Sequence, residues 1–244
     1  MSKYIKSGFG LGLFAIAIAL GMSSENPAIA QARRPRQNIV RRWISSIWGR
    51  RPKRSLGARS NIVAISPGLI DTLSVWHDKP MFLWHSSSKN QQGRLIVRER
   101  NSEETLWEQN VDISNRKAFY QGQPLEPGKN YQWKLTGTTS SIPWTNFQIM
   151  PENQRAQIKA ELQTLEQKSK SLAGNTSEET AKIKAEYFLN RSINQSNEYL
   201  WSDGLQALYQ VKKPSQEFIK NRQKLLTNIL TPNKVSEGVK EMGR

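Results

Sequence analysis

Leu125-Glu126-Pro127-Gly128-Lys129-Asn130-Tyr131-Gln132-Trp133-Lys134-Leu135 opens on a Pro-Gly turn and runs straight into an alternation of large apolar and polar side chains. Tyr131, Trp133 and Leu135 fall on one face and Asn130, Gln132 and Lys134 on the other, the period of a strand with one face in a core. Phe147 and Ile149 alternate with Asn146 and Gln148 in the same way. Turn signals stand at short intervals: Ser66-Pro67-Gly68, Asp78-Lys79-Pro80, Asn90-Gln91-Gln92-Gly93, Asn101-Ser102-Glu103-Glu104 and Glu126 to Lys129. Short strands between such turns predict an antiparallel β-sandwich over residues 60–150, because two half-apolar sheets must cover one another.

Beyond Pro151 the period changes to that of helices. Ile158, Leu162 and Leu165 make one stripe; after Gly174-Asn175-Thr176, Ala181, Ala185, Phe188 and Leu189 make a second, with Thr176 or Ser177 as N-cap and Glu178-Glu179 in the first turn. Trp201, Leu205 and Leu208 form a third face, and Phe218, Leu225, Leu226, Ile229 and Leu230 a fourth before Pro232. The expected class is therefore α+β, a β-sandwich followed by a helical domain over residues 151–231, with 232–244 as a flexible C-terminus. Residues 125–133 resemble the tyrosine-corner strand of fibronectin type III-like domains, which implies an immunoglobulin/fibronectin III-like sandwich.

Working toward the N-terminus, residues 1–30 carry the marks of a secretory signal: Lys3 and Lys6, an apolar run from Phe9 to Leu20, and Ala28-Ile29-Ala30 before Gln31. An uncleaved anchor is the other reading, although the run breaks at Ser23 to Pro27, short of the ~20 apolar residues of a spanning helix. Export puts the protein in the periplasm or outside the cell, or peripherally on a membrane. The chain has no cysteine, so no disulfide framework supports it and no thiol chemistry is open to it.

The formal charge of +16 is unevenly distributed. Arg33, Arg34, Arg36, Arg41, Arg42, Arg50, Arg51, Lys53, Arg54 and Arg59 lie within residues 31–59, which hold no acid at all. Within this basic segment, Trp43 with Ile47 and Ile44 with Trp48 are i, i+4 pairs on one face of a short helix, flanked by Arg41, Arg42, Arg50 and Arg51. That pattern suits an anionic membrane surface or envelope polymer, with indoles at the headgroups and guanidinium groups on phosphates. The same pairs also fit a segment packed on the following domain, or a tether. Nucleic acid is the least favoured partner, because an exported protein rarely meets it.

A family resemblance now has its residues. The signal segment, the Arg-rich stretch, Ala64-Ile65-Ser66-Pro67-Gly68, Leu73 to Trp84, Leu125 to Trp133 and Tyr199-Leu200-Trp201-Ser202-Asp203-Gly204-Leu205-Gln206-Ala207-Leu208 together resemble a cyanobacterial family known as domain of unknown function 928. The resemblance spans roughly residues 60–230. Gly204 and Gln206 depart from the family's last motif, and Thr138-Thr139-Ser140-Ser141 replaces a loop that often holds cysteine. It implies export, source and fold, and supplies no activity, cofactor or site residue.

Chemistry has to be sought side chain by side chain. His77 and His85, with Asp71 and Asp78 nearby, are the one set with metal-ligand chemistry, but a turn and a strand end account for the two histidines. Glu103-Glu104 and Glu178-Glu179 suit a turn and a helix start, and no nucleophile elbow, phosphate loop or dinucleotide fingerprint is present. No cofactor and no catalytic residue are expected. Of eight tryptophans, Trp133 and Trp201 share faces with core residues, while Trp107 and Trp144, among polar neighbours, are the candidate ligand-contact aromatics. The resulting expectation is a non-enzymatic binding or scaffolding protein of the bacterial envelope, with a possible protein partner. The alternatives are an envelope enzyme acting on polysaccharide or peptidoglycan through carboxylates, and a helical docking module.

Overall fold

The structure, a computed structural model, describes residues 62–68, 73–87, 91–137, 141–171, 176–193 and 199–230. All of them belong to the compact unit Gln37–Arg244. The expected signal peptide, the basic segment and the C-terminus 232–244 lie outside the described residues.

Eight strands are described: β1 (Ile62–Ser66), β2 (Ser74–Val75), β3 (Met81–Ser86), β4 (Gln92–Glu99), β5 (Thr105–Asp112), β6 (Lys117–Phe119), β7 (Asn130–Gly137) and β8 (Ser141–Ile149). Four helices follow: α1 (Glu152–Ser171), α2 (Ser177–Asn190), α3 (Trp201–Tyr209) and α4 (Gln216–Leu230). The molecule is thus α+β with its helices C-terminal. The strands make one sheet of order β1-β3-β6, curled into a half-barrel, and one of order β2-β8-β7-β4-β5. The smaller sheet is antiparallel throughout, whereas the larger is mixed, because β2 runs parallel to β8. This corrects the all-antiparallel expectation. Gln148 N donates to Leu73 O and Met150 N to Val75 O, so the two-residue strand satisfies an otherwise open edge of β8.

The alternation in β7 has its expected outcome: Tyr131, Trp133 and Leu135 are buried, while Asn130 and Thr136 are exposed. They join Phe82, Trp84, Leu95, Val97, Phe147 and Ile149 in one core between the sheets. Each fully buried side chain of this size contributes about 1.5–3 kcal/mol over an exposed one. The buried indoles keep partners, Trp84 Nε1 donating to Ile113 O at 2.9 Å and Trp133 Nε1 to Pro67 O at 3.0 Å. The Pro-Gly turn works as its residues suggest. Gly128 takes φ +81°, where glycine carries no Cβ penalty, and Glu126 N donates to the Tyr131 hydroxyl at 2.8 Å.

β3 differs from its neighbours because its apolar residues are continuous, Met81-Phe82-Leu83-Trp84, and all four are buried. Phe82 and Trp84 face the core between the sheets, while Met81 and Leu83 face the helices with Ile65. The smaller sheet is therefore a middle layer. On its helical side Ala181, Ala185, Leu189, Trp201, Leu205, Leu208, Phe218, Leu225 and Ile229 complete a second core. α2 starts at Thr176, whose hydroxyl accepts from Glu179 N, and its predicted apolar stripe, Ala181, Ala185, Phe188 and Leu189, is buried throughout.

Candidate functional site

α3 is the element on which the layers converge. An amphipathic helix buries one face, yet here all eight residues from Trp201 to Leu208 are buried, including the polar Ser202, Asp203 and Gln206. A buried polar group without a partner costs about 1–3 kcal/mol, so each must bond to something, and each bonds to a strand or to the loop between β2 and β3. Ser66 Oγ, at the end of β1, donates to Ser202 Oγ at 2.7 Å. Gln206 Oε1 accepts from Met81 N at 2.8 Å, and its Nε2 donates to Lys79 O at 3.1 Å, so the carboxamide satisfies the backbone entering β3.

Asp203 is the most demanding of the three, being a fully buried carboxylate. Its Oδ2 accepts from Trp76 N at 2.9 Å, and its Oδ1 accepts from His77 N at 3.0 Å. The His77 ring completes the set, with Nδ1 2.7 Å from Oδ1. To an ionised carboxylate, which offers acceptors alone, the imidazole donates its Nδ1–H. Arg155 of α1 holds the same loop from the other side. Its Nε donates to Trp76 O at 3.0 Å, its Nη2 reaches Asp78 Oδ2 at 2.9 Å, and its own carbonyl accepts from the Trp76 indole at 3.1 Å.

His77 lines a pocket of about 130 Å³ whose apolar wall includes Trp76, Leu162 and Phe188. Its polar rim is Lys159, Gln163, Glu166, Lys184 and Gln210, with Lys184 Nζ 2.6 Å from Glu166 Oε1. The Trp76 and His77 rings meet edge to face at 4.8 Å, and Phe188 lies 5.7 Å from Trp76. A histidine oriented by a buried aspartate is the base half of a nucleophile–base–orienter arrangement. Among the described residues the lining holds no serine, threonine or cysteine to serve as nucleophile, and one carboxylate, Glu166, already paired.

A second pocket, of about 470 Å³, is lined by Leu165, Ile183, Glu186, Tyr187, Asn190 and Arg191. At its rim Glu161 Oε2 accepts from the Tyr187 hydroxyl at 2.6 Å and pairs with Arg191. Partial burial alone would raise the Glu161 pKa; the hydrogen bonds from Tyr187 and Arg191 outweigh it and hold the carboxyl below its usual value. Burial, reinforced by the bond to Glu161, raises the Tyr187 phenol well above its usual value.

The residues singled out from sequence are distributed differently. Arg41, Arg42, Trp43, Ile44, Ile47, Trp48, Arg50 and Arg51 lie outside the described residues, as does Asp71. Trp107 is half-buried rather than exposed: it pairs in register with Val97, on the inner face, and its ring lies 5.0 Å from Tyr120 and 6.4 Å from Phe82. Its polar neighbours Glu108 and Asn110 are exposed on the alternate face with Leu106. Trp144 is also half-buried, on the outer face, with the Arg98 guanidinium 3.9 Å and the Lys134 ammonium 4.7 Å from its ring centre. The two histidines are not brought together around a metal-type cluster. His77 belongs to Asp203, His85 pairs in register with Val63, and among the described residues no three His, Cys, Asp or Glu side chains gather.

Asp203 and Gln206 themselves were missed as anchors, because on a helical wheel they look like the polar side of an amphipathic helix. The available signal was the shortness of α3 and its small residues Ser202, Gly204 and Ala207, which mark a helix enclosed on every side. No family model matches the chain, and no curated protein matches it either.

Proposed function

We propose that the protein is an exported, non-enzymatic binding or scaffolding module of the bacterial envelope, held on an anionic surface by its Arg-rich segment. One observation carries the reading: ten cations and no acid within residues 31–59, with two Ile/Trp pairs at helical spacing among them. The described body supports it in that its buried acid–base pair is used to join sheets to helices, Asp203 gripping two backbone amides as well as the imidazole. The resemblance to the cyanobacterial family and the immunoglobulin/fibronectin III-like relationship of the sheets belong to the same proposal. The latter is supported by the bond between Glu126 N and the Tyr131 hydroxyl, a tyrosine-corner arrangement.

Co-sedimentation with vesicles tests it. The full chain is expected to pellet with anionic vesicles, to remain in solution with neutral ones, and to be released as salt shortens the Debye length. Binding that ignores lipid charge, or that persists unchanged after deletion of residues 31–59, would refute the reading. An enzyme remains the second reading on one specific ground, the orientation of the His77 ring by Asp203 beside a pocket. Turnover of a polysaccharide or peptidoglycan substrate that disappears in His77→Gln while the fold is retained would favour it.

A further inference from the structure

Two cations, Arg222 and Lys117, lie over the ring of one half-buried phenol, and among the described residues neither is in an ion pair. Tyr209 ends α3 and packs at the edge of the helical core. Arg222 of α4 lies over its ring, with the guanidinium carbon 4.1 Å from the centre, and the Lys117 ammonium of β6 is 5.6 Å from the same ring. Arg116, next to Lys117, also acts on the phenol: burial raises the Tyr209 pKa, and the positive charges of Arg222 and Arg116 oppose that rise. Among the described residues none of Arg116, Lys117 and Arg222 takes part in an ion pair.

The backbone adds an independent observation. Arg116 has φ +59°, the left-handed region that suits glycine or asparagine, and closes the 3-10 turn Ile113–Asn115 by donating its N–H to Ile113 O. A long cationic side chain at such a position costs local strain, and strain of this kind gathers at binding sites. The turn leads into Lys117, whose ammonium reaches Tyr209 at the end of α3, where Arg222 arrives from the last helix. Arg222 is further fixed by donating to Leu208 O at 3.2 Å.

We propose that Arg116, Lys117, Arg222 and the Tyr209 hydroxyl form an oxyanion site on the folded body, suited to a phosphate group. The positive charges attract its negative charge, guanidinium groups supply paired N–H donors, and the phenol, protonated at neutral pH, supplies a further donor. The proposal uses none of the residues of the Arg-rich segment and does not rest on its reading.

Calorimetric titration of the full chain with inorganic phosphate, at constant ionic strength in chloride, tests the site. The triple variant Arg116→Gly, Lys117→Gln, Arg222→Gln is compared with a charge-matched control, Arg94→Gln, Arg98→Gln, Lys134→Gln, on the larger sheet. Each charge-assisted contact removed is expected to weaken binding about tenfold, so the site variant loses detectable binding while the control stays within about twofold. Lys117→Gln alone, which leaves the Arg222 bond to Leu208 in place, is expected to show the tenfold loss even if the triple variant fails to fold. Equal losses in site and control variants, or no loss at Lys117→Gln, would overturn the proposal. Phosphatidylglycerol vesicles identify the source of the phosphate. A sedimentation defect confined to the site variants assigns the site to a lipid headgroup, and an unchanged sedimentation alongside lost phosphate binding assigns it to the free ion.

Discussion

His77 Nδ1 and Asp203 Oδ1 stand 2.7 Å apart across 126 residues of chain, one at the exit of the shortest strand and the other inside a buried helix. The contact ties the segment after β2 to α3 in one register. The carboxylate collects two amides and one imidazole, all from residues 76–77, and so fixes the loop by direction as well as by contact.

Asp203→Ala is therefore expected to cost about 3–5 kcal/mol, since it leaves three buried or half-buried donors unpaired. Asp203→Asn should recover little of that, because both oxygens accept in the native state and an amide nitrogen sets a donor against a donor. Urea midpoints of the two variants measure the difference. A loss under 1 kcal/mol in Asp203→Asn would show that the charge is dispensable.

Gln206→Leu tests the second anchor with nearly constant volume. Met81 N and Lys79 O lose their partners at the start of β3, with an expected loss of about 2–4 kcal/mol. Hydrogen exchange locates it: Met81 N–H is expected to lose protection more than amides of the larger sheet.

Gly204→Ala separates helix propensity from packing. Alanine gains about 1 kcal/mol of propensity over glycine, but the added Cβ would sit 2.8 Å from Leu189 Cγ and 3.5 Å from Ala185 O. Leu189 is buried and cannot swing clear, so overpacking is expected to win by a net 1–2 kcal/mol or so. The double variant Gly204→Ala, Leu189→Ala should be less destabilised than the sum of the singles, because each change makes room for the other.

These three positions also mark the limit of what the sequence discloses. Tyr131, Trp133 and Leu135 were legible because a strand with one wet face must alternate, and Ala181, Ala185, Phe188 and Leu189 because a helix with one wet face must repeat. Asp203 and Gln206 fit the helical period as a polar face, and nothing in that period says they are buried. Their partners are backbone amides more than 120 residues away, and no local pattern records which amides a fold leaves unpaired. Trp107 alternates as well, but its polar neighbours hide which face is inward. The parallel β2, two residues long, is too short to carry any period at all.

Glu161 supplies the acid-sensitive element. Its carboxyl is held below its usual value of 4.5 by Tyr187 and Arg191 against the opposing effect of burial, so the unfolded chain binds its proton more readily than the folded one. Its contribution is then fully present above the unfolded pKa and is lost as pH falls through the lower, folded value. Glu161→Gln is expected to lie below the native protein in stability near neutral pH and to converge on it in acid. Tyr187→Phe removes one of the two restraining bonds and should shift the folded pKa back toward its usual value, narrowing the window over which stability is lost. Urea midpoints collected between about pH 6 and pH 3 give the curves, and the difference between native and variant curves isolates Glu161 from the other carboxylates that titrate in the same range. Parallel curves with no convergence would mean that Glu161 titrates alike in the folded and unfolded chains, and that the Tyr187–Arg191 cage imposes no preference for its charged form.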